Sequence, residues 1–240
     1  MRMQIEGKRV IITGASRGLG RALVTAFVDA GAAEVIAGTR KREDREALNL
    51  ERVKLVRLDV TSDRDVESIS QLGPFDILIN NAGVAGYGNP ITMDFAAIQE
   101  EVAVNYLGVL RVTRAIVPGM IAKHDGMIVN VATVFAKVNL PIIGTYCATK
   151  SALLSLGQAL RAYLSEHGVR VITVLPTTID TDMSRGANVP KMTKEFVCGE
   201  ILNAIREESH DPPIGDEAKG VLDQLSKDAI GFEKMLAGVK

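Results

Sequence analysis

Tyr146 and Lys150 stand four residues apart at the start of a helical pattern. Positions i and i+4 share one face of a helix, so the ammonium is expected beside the phenol. A cation stabilises phenolate. Lys150 is therefore expected to bring the Tyr146 pKa below its ordinary value of about 10, which makes Tyr146 usable as a general acid or base near neutral pH. A second stretch suggests a different chemistry. Thr13-Gly14-Ala15-Ser16-Arg17-Gly18-Leu19-Gly20 sets glycines at 14, 18 and 20 directly after the apolar run Val10-Ile11-Ile12. Glycine lets backbone approach a ligand closely. A following helix N-terminus offers free N–H groups and the positive end of its dipole. The stretch reads as a pyrophosphate cradle.

The elements that must position these groups are legible in outline. Val10 to Ile12 suits a strand buried on both faces. Leu19, Leu23, Ala26, Phe27 and Ala30 recur at helical steps, and Gly31 closes that helix. A second strand, Glu34 to Gly38, ends in Thr39-Arg40-Lys41-Arg42. Dinucleotide folds that prefer NAD place a carboxylate here for the ribose hydroxyls. Thr39 and Arg40 stand in its place. A guanidinium suits a 2′-phosphate, and Arg17 is within reach of the same group, so the cofactor read from these residues is NADP(H). A brief helix is expected over 42–52, then a third strand from Val53 to Leu58. Asp59 and Val60 follow it on the cofactor side. Ser62 and Asp65 fit a capping box for the next helix, which Gly73-Pro74 ends.

A fourth strand, Phe75 to Ile79, runs into Asn80-Asn81-Ala82-Gly83. One long helical region is expected from about Asp94 to Lys123, kinked at Pro118. It contains Asn105, a poor helix residue that asks for a reason if buried. Met127 to Val131 is the fifth strand, with Ala132-Thr133 at its carboxyl end, the edge beyond which ligands bind in open α/β sheets. The helix that begins near Tyr146 runs to about His167. Val169 to Leu175 is the sixth strand. Pro176 to Met183 follows, then a loosely patterned region to Pro190 and a helix near Lys194 to Glu207. This alternation predicts an α/β fold, a doubly wound parallel sheet with helices on both faces. The chain reads as one Rossmann-type domain over 1–240, with 184–210 as a substrate-loop region and 219–240 as an amphipathic helical tail.

The glycine turn T-G-x-x-x-G-x-G, the N-N-A-G turn, Asn105, Thr133 and Tyr146-x-x-x-Lys150 stand in one order over roughly Lys8 to Met183. That combination resembles the short-chain dehydrogenase/reductase superfamily, in its NADP(H)-preferring carbonyl reductase form. The resemblance implies a catalytic set of Asn105, Thr133, Tyr146 and Lys150. NADPH passes hydride to a carbonyl carbon, Thr133 orients the carbonyl oxygen and Tyr146 gives the proton. Lys150 holds the nicotinamide ribose and tunes Tyr146, and Asn105 distorts its helix and links Lys150 to solvent through water. The implied cofactor contacts are Gly14, Ser16, Arg17, Gly18, Leu19, Gly20, Thr39, Arg40, Asp59, Val60, Asn81, Ala82, Gly83, Tyr146, Lys150, Ile179 and Thr181. Two positions depart from the family pattern. Thr133 replaces the usual Ser, which adds a methyl group and stiffens χ1. Thr177 replaces the glycine that usually follows Pro176.

Composition narrows the field. The chain has 240 residues, 47% of them hydrophobic, and a formal net charge of −1. This supports one sizeable core and gives no basic stripe for nucleic acid. The two cysteines, Cys147 and Cys198, form no CxxC, and His124, His167 and His210 lack ligand spacing, so no metal site is expected. No secretory signal or membrane-length apolar run is evident, which points to the cytoplasm. Glu100-Glu101 and Glu207-Glu208 read as exposed helix faces. Leu153, Leu156, Leu160 and Leu164 form a stripe that serves the core or a subunit contact. The resemblance implies a homodimer or homotetramer formed through that helix and the long one before it. The expected activity is hydride transfer between NADP(H) and a carbonyl or secondary alcohol. Two alternatives on the same fold stay open, a catalytically weak NADP(H)-binding sensor or interaction protein, and an epimerase or dehydratase.

Overall fold

The computed structural model describes residues 2–40 and 50–238. The helix expected over 42–52 falls largely on 41–49 and so lies, with Lys41 and Arg42, outside the described residues. Among the described residues seven strands form one sheet: β1 Arg9–Ile12, β2 Glu34–Thr39, β3 Val53–Arg57, β4 Ile77–Asn80, β5 Gly126–Val131, β6 Val169–Pro176 and β7 Pro213–Ile214. Their spatial order is β3-β2-β1-β4-β5-β6-β7, and every pairing is parallel. The chain winds one way from β1 and then the other way from β4. The order therefore switches between β1 and β4, and a crevice opens there beyond the carboxyl ends of the strands.

Side-chain alternation sorts the strand residues into two cores. Val10, Ile12, Ile77 and Ile79 face one side, against α1 (Gly18–Asp29) and α6 (Lys194–Glu207). Ile11, Leu78 and Ile128 face the other, against α2 (Asp63–Ser70), α4 (Val109–Lys123) and the end of α5 (Gly144–Leu164). Leu153 and Leu154 of α5 form a third cluster with Leu175 and Ala218. Ala218 belongs to α7 (Gly215–Lys227), which is followed by α8 (Ala229–Ala237).

Several local expectations change. The helical region before β5 is not one helix kinked at Pro118. α3 (Phe95–Val102), capped by Asp94, passes into a π-helical segment, Ala103–Gly108, and only then into α4, which runs on through Pro118. The disturbance spans Asn105, and π turns of this kind inside α-helices are rare and frequent at functional sites. The capping box before α2 is half made. Ser62 accepts the Asp65 N–H, but the Asp65 carboxylate turns instead to the Asp59 N–H and to Arg57. The helical tail begins at Gly215 and breaks at Asp228, whose side chain caps α8 by accepting the Gly231 N–H. Within the 184–210 region, the helix expected near Lys194 to Glu207 is α6, whose inner face packs in the core. β7, with two residues, is too short for periodicity to show. Glu101, expected on an exposed face, is buried.

Candidate active site

A cavity of about 280 Å³ fills the crevice at the switch between β1 and β4. Of the residues that the resemblance assigned to catalysis, it is lined by Thr133, Tyr146 and Lys150; of those assigned to the cofactor, by all except Thr39. Thr39 is buried within β2, off the cavity wall. Asn105 is also buried, behind the wall.

The floor at one end is the glycine turn. Gly14 and Gly18 adopt φ of +66° and +54°, a region that side-chained residues avoid. Gly20 is required for a different reason. A Cβ there would stand 2.1 Å from the Gly14 carbonyl oxygen and 2.5 Å from the Asn81 amide nitrogen. Asn81 ties this turn to β4: its Nδ2 donates to the carbonyls of Thr13 and Gly14. The Thr13 hydroxyl in turn accepts the N–H groups of Asn81 and Ala82. No side chain caps the N-terminus of α1, so its first N–H groups stay available to an anion. A cradle that a Cβ would fill, at an uncapped helix start, fits a dinucleotide diphosphate. Arg17 and Arg40 line the same cavity, each more than half exposed, and among the described residues their ion pairs, to Asp182 (3.9 Å) and Glu100 (3.8 Å), are long. Both guanidinium groups are thus available to a phosphate. Asp59 is opposed by burial, yet hydrogen bonds from the Thr61 hydroxyl and N–H, with the charges of Arg40 and Arg57, hold its carboxyl below the usual range.

The chemical end lies between β5 and α5. Lys150 Nζ donates to the Val131 carbonyl at 2.8 Å and lies 5.7 Å from the centre of the Tyr146 ring. Burial lowers the Lys150 pKa to about 8. The Tyr146 pKa is not lowered, as the sequence suggested, but raised well above 10. Burial is the main cause, and the neighbouring Cys147, Tyr87 and Glu101 add to it. Burial thus outweighs the nearby ammonium, which donates its hydrogen bond to the Val131 backbone carbonyl. Thr133 is likewise committed. Its hydroxyl donates to the Pro176 carbonyl at 3.0 Å and accepts the Phe135 N–H. Asn105 spends its amide on Val84, through both N–H and C=O, and on the Thr149 hydroxyl. A Cβ on Gly83 would lie within 3.6 Å of both Asn105 Oδ1 and Lys150 Nζ, so these side chains converge behind Gly83.

The remaining walls come from Val84, Ala85, Tyr87, Phe135, Leu140, Ile143 and Met183. The Tyr87 hydroxyl donates to the Met183 carbonyl at 2.8 Å and bridges two of these walls. The loop after β6 closes onto the glycine turn, where a Cβ on Gly18 would meet the Thr181 methyl at 3.3 Å. Thr177 donates to Glu217 of α7 at 2.9 Å, so the departure at this position anchors the loop to the tail. Sequence reasoning missed this anchor, the Val131 carbonyl and Glu101. A charged residue on the buried side of a helix was the one local signal, and only for Glu101. Among the described residues, no cluster of His, Cys, Asp or Glu is arranged to hold a metal ion, and no helix is long and apolar enough to cross a membrane.

Residues 8–191 match the family model for short chain dehydrogenases. A D-erythrulose reductase of Gallus gallus is 36% identical over 187 residues, which is 76% of each chain. An L-xylulose reductase of Bos taurus is 33% identical over 191 residues, 78% of each chain. Among solved structures, a short chain dehydrogenase from Burkholderia cenocepacia in complex with NADP superposes with a TM-score of 0.92 at 35% identity, covering 98% of this chain and 99% of that one. The glycine cradle at the sheet's switch point, the Tyr146 and Lys150 pair beyond β5 and these likenesses agree: the chain belongs to the short-chain dehydrogenase family of oxidoreductases.

Proposed function

We propose that the cavity takes NADP(H) at its glycine end and a carbonyl compound or secondary alcohol between Tyr146 and the apolar walls. The protein is an NADP(H)-dependent oxidoreductase acting on the CH–OH group, and reduction is the favoured direction in this reading. The single observation that carries the assignment is one cavity lined by the Gly14–Gly20 cradle, by Arg17 and Arg40, and by Tyr146 with Lys150. The NADP-bound relative supports the choice of cofactor.

When bound, the cofactor supplies the hydride. The chain's own residues do the rest. Gly14, Ser16, Gly18, Leu19 and Gly20 receive the diphosphate, and Arg17 and Arg40 take the 2′-phosphate. Asp59, Val60, Asn81, Ala82 and Gly83 wall the adenosine and ribose side, and Ile179 and Thr181 the carboxamide side. Tyr146 gives its proton to the carbonyl oxygen as negative charge develops there. Lys150, while protonated, favours the phenolate left behind. Thr133 turns its hydroxyl proton from Pro176 to the substrate oxygen. Asn105 fixes Val84 and Thr149 next to Lys150, a position suited to passing protons through water. The apolar walls favour a carbonyl compound of modest size.

Calorimetric titration tests the cofactor assignment. Charge-assisted hydrogen bonds contribute about 1.5–3 kcal/mol each, so two arginines predict about 10²- to 10⁴-fold tighter binding of NADPH than NADH. Arg40→Asp is expected to remove most of that preference. Equal affinities in the wild type would mean that Arg17 and Arg40 do not read the phosphate.

A homodimer or homotetramer is proposed through α3, the π segment and α5. Phe95, Val102, Leu107 and Tyr163 expose apolar surface there. Light scattering that gave a monomer at every concentration would exclude it. Cys147 and Cys198 are free buried thiols, which supports a cytoplasmic setting that cell fractionation checks.

A further inference from the structure

Glu101 is the only buried residue of α3, with 1% of its surface exposed. A carboxylate in such a place is costly unless its oxygens are satisfied. One is: Oε1 accepts the Gly86 N–H at 2.6 Å. The other, Oε2, is buried with no hydrogen-bond partner among the described residues. An apolar side chain would suit the fold better at this position, so the carboxylate needs a reason of its own.

The reason is visible one helical turn later. Asn105 lies four residues on and holds Val84 through its N–H (2.9 Å) and its C=O (2.8 Å). Glu101 and Asn105 together grip Val84 to Gly86 by three hydrogen bonds. The gripped segment and the next residue supply Val84, Ala85 and Tyr87 to the cavity wall. Tyr87 then reaches Met183 on the opposite wall. The loop is not part of the sheet, and a loop without such bonds samples many conformations.

We propose that Glu101 is a positioning residue for the carbonyl substrate. Its carboxylate fixes Gly86, and through Gly86 the Val84–Tyr87 wall and the Tyr87–Met183 bridge that set where the substrate lies against Tyr146. The inference rests on the reductase reading above and adds to it a residue outside the cavity lining. Its charge also contributes to keeping the Tyr146 phenol protonated, in the state from which it donates.

The test compares Glu101→Gln, Glu101→Leu and Tyr87→Phe with wild type, using NADPH and cyclohexanone as the probe. The Gln amide oxygen still accepts the Gly86 N–H, so Glu101→Gln is expected to keep KM for the carbonyl within about threefold. Glu101→Leu removes the acceptor and is expected to raise that KM about tenfold or more, because misplacement by about 1 Å costs as much as 100-fold. NADPH affinity is expected to stay unchanged in both. Tyr87 is more than half exposed, so Tyr87→Phe folds and is expected to raise KM in the same direction. Unchanged KM in Glu101→Leu or Tyr87→Phe, or equal damage from Gln and Leu, overturns the proposal. Hydrogen exchange across 84–87 supplies a readout free of turnover. Faster exchange in Glu101→Leu than in Glu101→Gln supports the proposal, and identical protection rejects it. Wild type that binds NADPH yet reduces no carbonyl would defeat the reductase reading, while the exchange result would still decide the part played by Glu101.

Discussion

Tyr146→Phe is expected to lower kcat for NADPH-driven carbonyl reduction by about 10³-fold, a loss within the range of a missing general acid. The phenol is the group that meets the carbonyl oxygen, and phenylalanine has no proton to give. The ring itself stays, and the Tyr146 hydroxyl makes no hydrogen bond among the described residues, so the fold and NADPH affinity should be retained. The structure adds a pH signature. The raised Tyr146 pKa means that the acid is fully loaded at neutral pH, which suits reduction. Of this pair, Lys150, with its pKa lowered to about 8 by burial, changes charge first as pH rises. It is protonated below that value and neutral above it, so wild-type reduction is expected to fall as pH rises through about 8. Initial rates across pH 6–10, with calorimetry for NADPH, check both parts. Turnover in Tyr146→Phe above about a tenth of wild type would remove Tyr146 as the proton donor.

Gly20→Ala is expected to have the largest effect on cofactor binding. The added Cβ would lie 2.1 Å from the Gly14 carbonyl oxygen and 2.5 Å from Asn81 Nδ2. Neither group can retreat cheaply. Gly14 is itself pinned, since its own Cβ position falls 2.8 Å from the Ala82 Cα, and Asn81 holds the turn through two hydrogen bonds. Overpacking of this kind costs about 1–3 kcal/mol, which for a chain of this size is a fall in Tm of about 2–12 °C. Relieving the clash means moving α1 away from the N-N-A-G turn, which opens the diphosphate cradle. NADPH affinity is therefore expected to fall by about 100-fold or more, a larger change than the stability loss alone explains. Gly199→Ala is the control. That glycine lies in α6 with nothing within 4 Å of an added Cβ, and its replacement should stabilise the helix slightly. Calorimetry that found NADPH binding intact in Gly20→Ala would mean that the cradle is not where the diphosphate sits.

Strand positions, the glycine turn and the order of Asn105, Thr133, Tyr146 and Lys150 were determined by the sequence itself, because each depends on near neighbours in the chain. Apolar runs of four to six residues buried on both faces of a parallel sheet leave a local pattern. So does a helix start that must be glycine-rich to meet a ligand. What the sequence left open or misplaced includes several partners distant in the chain. Lys150 faces the Val131 carbonyl instead of the phenol oxygen. The Thr133 hydroxyl has the Pro176 carbonyl as a partner that its place after β5 does not record. Glu101 looks like surface until α3 packs against the loop that carries Gly86. β7 exists only because Leu175 and Pro176 offer it an edge. Tertiary structure alone decided these, since a polar side chain takes whichever complementary group the packed chain leaves within about 3 Å. Neither spacing nor periodicity records which group that is.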